Sequence, residues 1–140
     1  MHPFFIGGHQ HGTVSFPRGQ NAVRAISDYA HAYHEAGRLL AERMEQSPGY
    51  ADFQGYPILF NYRHALELYL KAFVLQGAAL SGLLSPEGPA IDLDGVLRCH
   101  RLSWFLPRLN AVFKAIGWTW DTDVTGVESF AQFEMLVSSI

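Results

Sequence analysis

Between Tyr56 and Gln76 the chain is apolar around most of a helix's circumference. Projected at about 100° per residue, Ile58, Leu59, Tyr62, Ala65, Leu66, Leu68, Tyr69, Leu70, Ala72, Phe73 and Leu75 fill an arc of roughly 220°. Arg63, His64, Glu67 and Lys71 share a stripe of about 100°. A helix with so wide an apolar surface needs neighbours on several sides, which places it at the centre of a bundle. Pro57 suits a first helical position, and Gly77 is the expected C-cap. A membrane span is not expected, because the four polar residues interrupt an apolar run that would need about 20 residues with few charges.

The rest of the chain supplies the neighbours. From Gln20 to Gln46, Val23, Ile26, Tyr33, Leu40 and Met44 recur at helical spacings, with Ala30 and Gly37 at the smaller places. Arg24, Asp28, His31, Glu35, Arg38 and Glu42 form the opposite, solvated stripe. Residues 78–99, with Gly82, Pro86, Gly88, Pro89 and Gly95, read as a long loop that admits one short helical turn near Leu93 to Leu97. A third helix is expected from His100 to Gly117, with Pro107 kinking or breaking it. A fourth is expected from Gly126, introduced by a Thr125-x-x-Glu128 capping box and burying Val127, Phe130, Phe133, Leu136, Val137 and Ile140. Residues 1–19 hold glycines, prolines and histidines without helical period and read as an irregular arm, with a short strand allowed at Phe4 to Ile6. The fold class that follows is all-α: one up-and-down four-helix bundle over residues 20–140.

Composition bears on function mainly by exclusion. Charged residues are 16% of the 140 and hydrophobic ones 49%, so the chain is not disordered and part of its surface is expected to be covered, by a second copy for instance. One cysteine, Cys99, rules out an intrachain disulfide framework and, with no signal peptide in MHPFFIGGHQHG, points to the cytoplasm. His2, His9 and His11 sit in a glycine-rich arm that does not preorganise a zinc site, even with His31 or His34 nearby, so no metal is expected. Gly-x-Gly-x-x-Gly, Walker A and His-Glu-x-x-His strings are absent, and no cofactor is expected.

The polar residues of the second and third helices hold the chemistry. Arg63–Glu67 and Glu67–Lys71 are each spaced for an i,i+4 pair. They read as a solvated ladder, as a polar stripe lining a cleft or dimer groove, or as a buried network. His100 reads as a helix-start residue or as a general acid–base suited to neutral pH. Around it Arg98, Arg101, Arg108 and Lys114 occur with no acid among them, a cluster able to hold phosphate, although Asp121, Asp123, Glu128 and Glu134 follow closely. Arg24 and His31 share the first helix's solvated stripe.

The stretch ILFNYRHALELYLKAFVLQGA, followed after a loop by HRLSWFLPRL, resembles the HEPN superfamily of small α-helical domains (higher eukaryote and prokaryote nucleotide-binding). Such domains carry an aromatic-rich helix with Glu-x-x-x-Lys, a variable loop, then His-x-Leu-x-x-x-Leu. Here those positions are Glu67, Lys71, His100, Leu102 and Leu106. Tyr62-Arg63-His64 is also similar to an uncharacterised prokaryotic branch. The resemblance implies a homodimer that binds RNA or a nucleotide. It also implies a metal-independent ribonuclease of toxin–antitoxin or defence type, with an antitoxin-like protein as a further partner. The alternative it carries is a non-catalytic interaction or dimerisation module. By resemblance, Arg63 or Arg101 would stabilise phosphate charge, His64 or His100 would move the proton, and Glu67, Lys71, Arg98 and Arg108 would complete the binding surface. Active members carry Arg and His separated by four to six residues on a late helix. The chain's only such string is Arg24 to His31, on the first helix.

Overall fold

A computed structural model describes residues 22–46, 51–84, 91–121 and 124–140; the expected arm at 1–19 lies outside the described residues. Helix is the regular structure of the described residues, joined by turns and irregular segments: α1 (Ala22–Gln46), α2 (Ala51–Leu84), α3 (Leu93–Arg98), α4 (Leu102–Ile116) and α5 (Phe130–Ser138). No described helix is long and apolar enough to cross a membrane.

The central position expected for the apolar helix is where α2 sits. α1 packs along it, α4 and α3 pack elsewhere on its surface, and α5 packs on α4. α1 runs antiparallel to α2, because Tyr33 meets His64 whereas Gly37 meets Asn61 and Tyr62. Ala30 and Gly37 are buried, as the small-residue positions require. Leu40, expected on the buried stripe, is exposed. The main core lies where α2, α3, α4 and α5 meet, around Leu70, Val74, Val96, Phe105, Leu106 and Val137.

The expected bounds of α2 are too short at both ends. The helix spans 34 residues, about 51 Å at 1.5 Å per residue. Pro57 lies in its second turn, and the Asn61 side-chain amide donates to the Pro57 carbonyl at 2.7 Å. Gly77 does not end it. A Cβ on Gly77 would lie 2.0 Å from Val112 Cγ1, so this glycine serves the close approach of α2 to α4. One turn on, the buried Ser81 hydroxyl donates back to the Gly77 carbonyl at 2.7 Å. Of the loop expected at 78–99, residues 78–84 belong to α2 and α3 forms at the allowed turn, while residues 85–90 lie outside the described residues.

Pro107 does not break α4, which is continuous. Proline removes the bond to the Ser103 carbonyl, but both residues are exposed, so water can take the place of the lost partner. Gly117, at φ 67, ends the helix, with the Trp118 N–H donating to the Phe113 carbonyl at 2.9 Å. α5 begins later than expected because Gly126, at φ 86, forms a turn. The cap is Ser129, not Thr125: its hydroxyl accepts from the Gln132 N–H at 3.3 Å, and the Gln132 side chain accepts from the Glu128 N–H at 2.7 Å. Of the buried face expected here, Val137 is buried while Leu136 and Ile140 are exposed.

Candidate functional site

Glu67 and Lys71 lie one turn apart on α2, and both are buried, at 2% and 4% exposure. The Lys71 ammonium donates to Glu67 Oε1 at 2.8 Å and to the Leu97 carbonyl at 3.0 Å. One cation thus neutralises the carboxylate and anchors the end of α3 to α2. That anchor delivers His100, two residues past α3, to the same carboxylate: its Nδ1 is 3.0 Å from Glu67 Oε1. Arg63 closes the arrangement from the other side, donating to the His100 carbonyl at 3.2 Å with its guanidinium 3.9 Å from Glu67 Oε2. Of the readings open for the Arg63–Glu67–Lys71 spacing, the buried network is the one formed at Glu67 and Lys71. Arg63 remains 45% exposed and the His100 side chain 73% exposed.

Burial on its own would push the Glu67 carboxyl up. The hydrogen bonds from Lys71 and His100 outweigh it and hold the group below its ordinary value. An ionised carboxylate only accepts hydrogen bonds, so it fixes His100 with its proton on Nδ1. In the neutral form of the ring, Nε2 then carries the lone pair on an exposed edge. This is the orientation a general base requires.

Arg63 also lines a recess of about 190 Å³, together with Arg101, Leu102 and Ser103 and with Val137, Ser138 and Ile140. Arg101 is the N-cap of α4 and its side chain makes no capping bond, so the first-turn N–H groups at Leu102 and Ser103 face this end without a side-chain acceptor. Two guanidiniums and a helix start make the recess suited to an anion.

The other expected site residues lie elsewhere. His64 stacks on Phe60 and meets Tyr33 edge-on at 4.4 Å, turned toward α1. Arg98 pairs with Asp94 at 3.3 Å on the exposed side of α3. Arg108 lies over the Trp104 ring, 3.2 Å from its centroid, and donates to the Trp104 carbonyl. Arg24 and His31 stay on the outer face of α1. The residues brought together are Arg63, Glu67, Lys71, His100 and Arg101. Ser103 and the Leu97 carbonyl join them without any sequence signal, since a backbone acceptor and a lone serine carry none. No family of proteins, no curated protein and no solved structure was found to match the chain.

Proposed function

We propose that this is a HEPN-like domain that binds RNA through a backbone phosphate at the Arg63–Arg101 recess and cleaves it without a metal. The observation that carries the reading is the exposed His100 imidazole, oriented by a buried carboxylate, on a residue whose backbone carbonyl is held by Arg63 and which directly precedes Arg101. In this reading α1, α2, α4 and α5 correspond to the four helices of such a bundle, and the setting is cytoplasmic. His100 Nε2 takes the proton from a ribose 2′ hydroxyl. The O2′–P bond forms as the P–O5′ bond breaks, and the departing oxygen takes a proton from water, leaving a 2′,3′-cyclic phosphate and a 5′ hydroxyl. Arg63 and Arg101 hold the charge that develops on the non-bridging oxygens. Labelled RNA incubated with the protein in EDTA tests this. Cleavage that is lost in His100→Ala and weakened in Arg101→Ala is expected. No cleavage, or cleavage unchanged in His100→Ala, refutes it.

A second reading has its own support. Phe53, Tyr56, Leu59 and Phe60 are 63–83% exposed along the first half of α2. An apolar surface of that kind favours association with a second copy or an antitoxin-like partner. Light scattering that finds a monomer at every concentration removes the self-association half of this reading.

A further inference from the structure

On a part of α2 that shares no residue with the His100 site, the molecule holds a concave groove of about 660 Å³. α2 contributes Tyr69 and Phe73, α4 contributes Phe113, the connector after α4 contributes Trp118 and Trp120, and α5 contributes Phe133. Among the described residues, no Asp, Glu, Lys, Arg or His lines it. The volume has room for about twenty waters at about 30 Å³ each, yet the walls offer them almost no hydrogen-bonding partner. It falls in the range of small-molecule sites, about 300–1,000 Å³.

The walls are built before anything enters. The Trp120 indole N–H donates to the Val127 carbonyl at 2.9 Å, which fixes that ring. Trp118 lies 4.4 Å from Phe113 and 5.7 Å from Trp120, and Trp120 lies 5.3 Å from Phe133. These rings meet at tilted and edge-to-face angles of 35–78°. That packing leaves ring faces and edges open to the groove, and a flat π-system can continue it, because aromatic pairs favour those geometries. An aliphatic chain would gain only area. A charged ligand would lose its hydration with nothing to replace it.

We propose that this groove binds an uncharged, planar aromatic small molecule. Concavity favours an entering molecule over a flat protein surface, and the apolar character of every described lining residue favours a neutral ligand.

N-phenyl-1-naphthylamine, a neutral fluorophore, is the probe. Saturable fluorescence gain with one probe per chain, and energy transfer from the tryptophans, is expected. Phe73→Lys places a charge at the rim, where Phe73 is 55% exposed, and should weaken binding at least about tenfold. Trp118→Ala, also at an exposed position, should weaken it too, with helical circular dichroism unchanged in both variants. Four results would overturn the proposal: no saturable gain, affinity unmoved by both variants, displacement by dodecanol but not by naphthalene, or a site that vanishes as the protein is concentrated, which would assign the groove to a second copy.

Discussion

Replacing Lys71 with methionine keeps most of the side chain's volume and removes one charge. The Glu67 carboxylate, 2% exposed, would lose its 2.8 Å partner and keep only His100 and an arginine 3.9 Å away. The Leu97 carbonyl would lose its donor as well. Breaking a buried ion pair from one side costs about 3–5 kcal/mol, and an unsatisfied carbonyl about 1–3 kcal/mol if water cannot reach it. Set against a total stability of about 5–15 kcal/mol, the variant should be near its unfolding threshold at pH 7. The loss should also depend on pH. In the wild type, Glu67 is held below its ordinary value of about 4.3, so its contribution is complete above that value and disappears as pH falls through the lowered one. Without Lys71 the burial penalty dominates and the carboxyl moves upward, so the variant should recover stability relative to wild type as the solution is acidified from pH 7. Urea unfolding of both proteins at pH 7 and pH 5 measures this. The double variant Glu67→Gln with Lys71→Met, which buries no charge, should be more stable than Lys71→Met alone. A Lys71→Met protein within about 1 kcal/mol of wild type at pH 7, or one that does not gain on the wild type at pH 5, would refute the account of the pair as a buried, mutually dependent unit.

Two further outcomes follow from the helix ends and crossings. Gly77→Ala should destabilise by about 1–3 kcal/mol in thermal or urea unfolding, since the added methyl meets Val112, and Val112→Ala in the same chain should return part of that loss. Ser129→Ala should cost about 1 kcal/mol by removing the cap of α5, whereas Thr125→Ala, outside the cap, should leave the unfolding midpoint unmoved.

The helices themselves were legible because periodicity reports which face is buried. Val23, Ile26, Leu70, Phe105 and Val137 fall on the faces that spacing assigns them. Glycine was the residue whose meaning spacing could not settle. Gly77 and Gly117 look alike in the sequence, yet one lies under Val112 inside a helix and the other ends a helix at positive φ. The same limit applied at Glu67. An i,i+4 ladder is written identically whether its outer side is water or another helix, and spacing does not show that Lys71 is buried and reaches the Leu97 carbonyl of α3. His100 was visible as a candidate, but its partner, 33 residues away, was not assigned to it by spacing. The role of Trp118 and Trp120 as walls depends on where α5 returns, which spacing in a segment without helical period does not report.

The contact between Gly77 and Val112 bears on more than helix continuity. The α2 wall of the aromatic groove ends at Phe73, one turn before Gly77, and Val112 is the neighbour of Phe113 in the facing wall. The two helices are therefore pinned, between the lining residues Leu109 and Phe113 of α4, at the spacing that a single hydrogen atom allows. Any side chain at 77 would act as a shim between them and widen the groove. The gauge of the ligand it accepts is set by a residue that never touches the ligand.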